Sequence, residues 1–499
     1  MNGLAVCPIP LEFMLLAALA TSLLAPQSEA GPSPDGWSVA SLQPPGVPVF
    51  SQSFEPVSVH SGLQSGHTWS GVYTPGYWQA GDGSTWQALG SYATDAFAED
   101  HWGNDFVGFQ SFFFSLSNFY ENALLWRVTD PLGAAAVEEV SLHPSGAFSS
   151  RAQAVHAGDQ GGFVALVSGE PRASLWSGSA ASWTDLHPVG ALTSQIEGMG
   201  PGQQVGFADF GAEHAGLWSG SAGSFTDLHP ATVAGIPTLS SRALRCDGEA
   251  QVGYALMQGG SNLRRPLLWS GSAESAQDLL PAGFTTGEAR AVFDGRQAGY
   301  VRSGGSSRAI LWNGSAGSYI DLGALLPPDG AGYSDSWAVD VWNDGTTWFV
   351  LGEALVVSKG TKPVLWTKPM VVAQETLRLG TPPNPEALLP GQTSGPVLGQ
   401  TWDPRIDHAA FVPDAVLDLL LIAETPLNLP VPGAGTLLCS PAEFPIEFAA
   451  PGTPFAIPVP DDYALVGAQL TSQGLSLDAA DQLHGANALD LVVGETQAP

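Results

Sequence analysis

The sequence predicts an all-β fold built from repeated four-stranded units, and three observations carry that prediction. Trp recurs at positions 126, 176, 218, 269, 312 and 366 inside one repeated phrase, whose fullest copies run from Leu175 to Pro188 and from Leu217 to Pro230. Gly (60) and Pro (40) are abundant while only 13% of the 499 residues are charged, about half the usual share, as suits a turn-rich β protein. Each unit also divides into four short strand-like runs bounded by turn residues. Tandem units of this length, each of four antiparallel strands, make the blades of a β-propeller.

The elements follow in chain order. An apolar run from Phe13 to Ala25, then Ser28-Glu29-Ala30, reads as a signal peptide over residues 1–30, although no Lys or Arg precedes it. Residues 31–56 form a lead-in, and the stretch from Trp37 to Phe50 within it could be a simple approach, a closing strand or half of another blade. The propeller is placed at 57–372. A degenerate copy, Gly76-Tyr77-Trp78-Gln79 followed by Asp82-Gly83-Ser84-Thr85-Trp86, adds a seventh Trp and gives a mean spacing of about 48 residues. Seven four-stranded blades are therefore predicted; six or eight stays open.

One unit shows the strand reading. Ser194 to Gly198, Gln204 to Phe207, Ala215 to Trp218 and Ser224 to Leu228 are the four strands, and Ser219-Gly220-Ser221-Ala222-Gly223 is the hairpin turn, where Gly supplies positive φ. The runs Gln251 to Tyr254 and Gln297 to Tyr300 repeat the second strand. From Trp to Asp is nine residues in four units (176 to 185, 218 to 227, 269 to 278, 312 to 321), so the turn between third and fourth strands is invariant. The second-to-third connection and the link between blades vary in length. In an up-and-down blade both emerge on one face, and that face is the candidate for ligand binding.

The pattern Ser-x-Ala, Gln-Val-Gly-Tyr, Leu-Leu-Trp and Thr-Asp-Leu resembles the HAF family of extracellular bacterial repeats, in the versions found in planctomycete-like secreted proteins. The resemblance covers roughly residues 60 to 370 and departs in the second unit, where a longer insert separates Trp126 from Ser141-Leu142-His143-Pro144. It implies a secreted propeller-like array and no catalytic residues. Residues 373–499 have strand-like runs at Val416 to Ile422 and Phe455 to Val459 between Pro-rich turns, which predict a β-sandwich. With Leu465-Val466-Gly467 and Asn487-Ala488-Leu489-Asp490 the segment resembles a module at the C-termini of secreted planctomycete-type proteins.

A formal net charge of −31, from 47 acidic and 16 basic residues, repels phosphate backbones and anionic lipid, so neither a nucleic-acid nor a membrane-surface partner is expected. Cationic partners stay open. Beyond residue 30 no stretch is long and apolar enough to span a bilayer. Of the three cysteines, Cys7 falls in the signal peptide and Cys246 with Cys439 is one conceivable disulfide. No Cys pair has zinc spacing and no cofactor is expected.

The repeated residues read as scaffold. Trp at one strand position in every unit packs between neighbouring sheets. His143, His187 and His229 sit in Leu-His-Pro turns, and Asp185, Asp227, Asp278 and Asp321 accept backbone N–H groups in the following turn, with calcium binding as the sharper alternative. Two stretches, Val341 to Trp348 and Gly81 to Trp86, resemble the Asp-box of sialidases but lack its opening Ser or Thr and Asp, and that motif is itself a folding device. The candidate ligand-binding residues are the least repeat-like: Phe112, Phe113, Phe114, Phe119 and Tyr120, in the long second-to-third connection of the second unit, suited to stacking on a sugar or anchoring a partner protein. Burial against a neighbouring blade or the C-terminal domain is the competing reading. Neither His-Glu-x-x-His nor Gly-x-Ser-x-Gly occurs. The expected function is a secreted, non-catalytic binding or scaffold protein presenting a variable propeller face to a glycan or a cell-surface protein. A polysaccharide-active hydrolase or lyase with its site at the central funnel is the alternative, and a self-associating surface-layer component is a third reading.

Overall fold

The structure, a computed structural model, describes residues 36–43 and 53–496 apart from short internal stretches at 116–117, 132–134, 168, 260–262, 327–331, 358–359, 393–394, 461 and 463–464. The expected signal peptide and Cys7 lie outside the described residues. The described residues fall into two compact units, divided between Pro369 and Met370.

The first unit is a β-propeller. Among its described residues are seven antiparallel sheets of four or five strands. Six follow chain order from axis to rim; their innermost long strands are Ser53–His60, Ala96–Trp102, Ser149–His156, Thr193–Gly200, Ile236–Asp247, which carries the short strand Thr232–Val233 at its start, and Thr286–Phe293. The seventh contains Tyr333–Asn343, Thr347–Val356 and Gly360–Pro369, and its outermost strand is Ser38–Ser41 from the other end of the unit. Ser38 pairs with Thr367 and Ser41 with Val364. Of the three roles open to the Trp37–Phe50 stretch, its described part is thus a closing strand.

Packing explains why the phrase repeats. The seven Trp (78, 126, 176, 218, 269, 312 and 366) are all fully buried. Trp218 of the fourth sheet sits in a cluster with Ala154, Ala173 and Leu186 of the third, and its indole N–H donates to the Leu186 carbonyl at 2.9 Å. Trp269 meets Val205, Ala215 and Leu228 of the preceding sheet in the same way, and Trp78 meets Leu351 and Leu365 of the seventh, which closes the ring. Burying an indole on both sides stabilises each junction by several kcal/mol, of the order of a Trp truncation at about 3–5 kcal/mol.

The smaller letters of the phrase have jobs too. The Gln that begins the second strand accepts from the turn Gly beyond the Trp: Gly178 N–H to Gln160 at 2.8 Å, Gly220 to Gln204 at 2.7 Å, Gly271 to Gln251 at 2.8 Å and Gly314 to Gln297 at 2.8 Å. Those glycines have φ near +75° (Gly220, Gly178), which other residues rarely adopt. The Ser of the innermost strand bridges sheets: Ser194 and Ser241 accept from the Ala173 and Ala215 amides. The same hydroxyls meet His187 Nδ1 at 2.7 Å and His229 Nδ1 at 2.9 Å. Asp185 and Asp227 accept from the amides two residues on, at 2.9 and 2.8 Å. Their other oxygens hold Arg172 and His214.

In the second unit, where the sequence predicts a β-sandwich, one five-stranded antiparallel sheet carries two-stranded ribbons. Its strands run in the order Gln374–Arg378, Leu483–Val492, Gln469–Asp478, Ala415–Ala423 and Glu447–Ala449. Leu420, Ile422, Leu489 and Leu491 face Trp402, Phe455 and Ile457 on one side. Leu421, Ala423 and Leu475 face Cys439 on the other. The Cys246–Cys439 bridge is not made: both are buried free thiols, one in each unit. Burial raises each thiol to about 12, so neither forms a thiolate readily.

Candidate functional site

All seven innermost strands carry a β-bulge at the same place. The pairing skips one residue between Pro56 and Ser58, Ala98 and Asp100, Ala152 and Ala154, Ile196 and Gly198, Ala243 and Arg245, Ala289 and Ala291, and Ala338 and Asp340. A bulge crowds the neighbouring strand. A Cβ placed on Gly66, Gly108, Gly162, Gly206, Gly253, Gly299 or Gly352 would collide with the carbonyl oxygen of the residue two before the bulge. This is the physical origin of the Gly in Gln-Val-Gly-Tyr: the bulge demands it in every sheet.

The residue after that Gly shares a sheet face with the residue two before the bulge, and together these pairs stand at one end of the propeller's inner strands, its mouth. The pairs are Glu55 with His67, Phe97 with Phe109, Arg151 with Phe163, Gln195 with Phe207, Arg242 with Tyr254, Glu288 with Tyr300 and Trp337 with Glu353. Most are half-buried. This end is where the innermost strands begin and where the second-to-third hairpins close, so it opens on the face with variable connections.

The ring is built from one device in several chemistries. Arg151 lies 4.0 Å over Phe109 of the previous sheet and donates through Nε to Glu121 at 3.1 Å. Arg242 repeats this over Phe207 at 4.0 Å, with Glu213 at 2.7 Å. At the next junction the charges are exchanged: Glu288 stands on the innermost strand and Arg264 on the third strand, pairing with each other while Arg264 lies 4.5 Å over Tyr254. Between the first two sheets the same places hold Tyr73 and Phe97, tilted together at 4.7 Å. The chain has only 16 Lys and Arg residues, and Arg151, Arg242 and Arg264 are all used at these junctions.

Carboxyl groups are shifted to both sides of their ordinary range. Burial raises Glu99 and Glu197, against the attraction of nearby arginines. Glu353 is pushed up to about 7, by burial first and the Glu55 charge second. Glu55 itself is held down by its hydrogen bond to His67 at 3.1 Å. Deeper, burial raises Asp340 to about 6, partly offset by Arg245. Among the described residues no cluster of His, Cys, Asp and Glu has metal-binding geometry.

The sequence-predicted aromatic residues do not lie in a loop. They are on strands Asp105–Ser115 and Asn118–Thr129, which extend the second sheet beyond its neighbours as a hairpin. Phe112 stacks on Tyr120 at 4.9 Å and 12°, and Phe113 is 63% exposed. Phe119 pairs with Phe113 by backbone register and Phe114 lies beside them, but their side chains are outside the described residues. This hairpin rises from the same face as the wide mouth. Sequence reasoning missed the mouth itself. The aromatic after Gly was visible as part of the repeat, but alternation along a strand leaves its facing direction open until the bulge is known.

No family model and no curated protein matches the chain. Solved structures similar to it include the β-propeller domain of the Trilobed protease from Pyrococcus furiosus, at 10% identity over 64% of this chain and 97% of that one, TM-score 0.39. Another is YCF48 bound to D1 peptide, at 14% identity over 69% and 98%, TM-score 0.39. A third is the Pyrococcus horikoshii acylaminoacyl peptidase, at 10% identity over 66% of this chain and 56% of that chain, TM-score 0.38. At this level of similarity they carry no argument about function.

Proposed function

We propose that this chain is a secreted, non-catalytic binding protein of the HAF-repeat type that takes a carbohydrate at the wide mouth of its propeller. The observation that supports this is the ring of half-buried aromatic side chains interleaved with salt-bridged Arg and Glu, on the face where connections vary. Aromatic faces cover the apolar faces of sugar rings, while fixed Arg–Glu pairs offer donors and acceptors to hydroxyls. The Phe112–Tyr120 stack on the raised hairpin extends that surface at one edge. The test is a glycan-array screen of the chain from residue 31 onward, against a Tyr254→Ala/Tyr300→Ala variant and a Phe112→Ser/Phe113→Ser variant. Retention on one glycan class, lost in the first variant and weakened in the second, supports the reading. Equal retention by all three proteins overturns it.

A hydrolase or lyase is the second reading, favoured by one observation. Glu353 and Glu55 stand on adjoining sheets with acidities pushed apart, the arrangement that separates an acid from a base. Released sugar that disappears in Glu353→Gln while binding persists would select it; no released sugar from any bound glycan would reject it.

A further inference from the structure

The narrow end of the channel is lined by the third residue after each bulge. In five of the seven sheets that residue is a ring: His60, Trp102, His156, Phe293 and Trp342. The other two are Gly200 and Asp247. Trp102 lies between the imidazoles, stacked on His60 at 3.9 Å and tilted against His156 at 4.2 Å. Trp342 lies 5.2 Å from His60 on its other side, and Phe293 is 6.5 Å from Trp342. An arc of rings thus faces one carboxylate, with a gap where Gly200 has no side chain. The pocket they line is about 60 Å³, room for a group the size of a few waters.

Its charge is settled by counting the groups on the wall. Asp100, Asp247 and Asp340 face it with Arg245. Arg245 donates to the carbonyls of Glu197 and Leu244, and its charge is balanced by Asp100 and Asp340. Each of those aspartates also staples an adjacent strand: Asp100 accepts from Val155 N–H at 3.1 Å and Asp340 from Val59 N–H at 2.7 Å. Asp247 has one oxygen on the Asp294 amide at 2.7 Å, and no arginine or lysine is paired with it among the described residues. Burial depresses His60 to about 4 and lowers His156, so at neutral pH these rings carry no charge to repel a cation.

We infer that the narrow end of the propeller channel is a second binding site, for a primary ammonium group on an unbranched alkyl chain. The Asp247 carboxylate attracts such a head by an ion-pair force and the Phe293 ring by a cation–π force, and a pocket of about 60 Å³ suits a compact ammonium head. Arg245 with two aspartates disfavours an anion there. The half-buried His60, His156 and Asp247 leave the pocket open to solvent. The ammonium could come from a free diamine or from a lysine side chain of another protein.

Titration calorimetry with n-butylammonium tests this, with 1-butanol as the uncharged counterpart. Saturable binding of the amine, at least about tenfold stronger than that of the alcohol, is expected. Asp247→Asn keeps an acceptor for the Asp294 amide and is expected to weaken the amine about tenfold; Phe293→Leu is expected to weaken it about threefold. Equal affinity for amine and alcohol, or an unchanged amine affinity in Asp247→Asn with folding verified by circular dichroism, overturns the site. So does binding of calcium with no binding of the amine. Tighter binding of 1,4-diaminobutane than of a blocked lysine assigns a free diamine, and the reverse assigns a protein side chain. Neither variant touches the wide mouth, so glycan retention reports on the other site independently.

Discussion

The outer strands and the innermost strands of each propeller sheet come from the same repeat but answer to opposite constraints. In the third strand Trp recurs in all seven sheets, and Gln at the head of the second strand in five, because each closes its sheet on a turn or a neighbour. On the innermost strand the position two before the bulge is Glu55, Phe97, Arg151, Gln195, Arg242, Glu288 and Trp337, with only Glu and Arg occurring twice. A sheet tolerates almost any side chain there because the bulge and its Gly partner fix the backbone without help from it. Repetition therefore marks what holds the ring, and divergence marks what the channel presents.

That contrast can be broken at its strongest point first. Trp218→Ala is expected to cost about 3–5 kcal/mol in a denaturant titration, since it empties the space between the third and fourth sheets. Gly206→Ala should cost about 2–4 kcal/mol, because the added methyl meets the Gln195 carbonyl and only a shift of the bulge relieves it. An unchanged midpoint in Gly206→Ala would show that the bulge does not impose the glycine.

The channel should respond differently. Arg242→Glu alone is expected to lose about 2 kcal/mol, and adding Glu213→Arg should restore most of it, since the protein already carries the exchanged pair as Arg264 and Glu288. A double variant no better than the single one would mean that the surroundings prefer one orientation. The smallest effect concerns Glu353. Its folded-state value of about 7 lies above its unfolded value, so the folded protein binds the extra proton, and the stability it lends below the unfolded value is lost as pH rises towards 7. Glu353→Gln should therefore raise the unfolding free energy at pH 8 by about 1–2 kcal/mol after allowance for solvent screening, and leave it unchanged at pH 4.

The propeller was legible because its signal is additive: seven Trp at regular spacing outweigh any ambiguity in one strand. The scaffold roles of His187, Asp185 and their equivalents were legible for the same reason. The wide mouth was not. Glu55, Arg151 and Arg242 share no residue type, so nothing in the sequence groups them; only the register of seven bulges does. Phe112 and Tyr120 stood out because they broke the repeat, yet length alone could not tell a long loop from a long hairpin. In the C-terminal unit the strands were visible, but whether short Pro-rich runs form a second sheet or separate ribbons depends on pairings distant in sequence.

The closing strand has a consequence for the order of events when the chain is made. Ser41 leaves the ribosome about 320 residues before Val364, its partner. Until then the Ser38–Ser41 strand has no partner and the seventh sheet lacks its outermost strand, so the nascent ring is open to strand exchange with any other copy nearby. A propeller shut by its own two ends is thus most exposed during synthesis and least exposed once finished, so the step that a chaperone would need to guard is the final one.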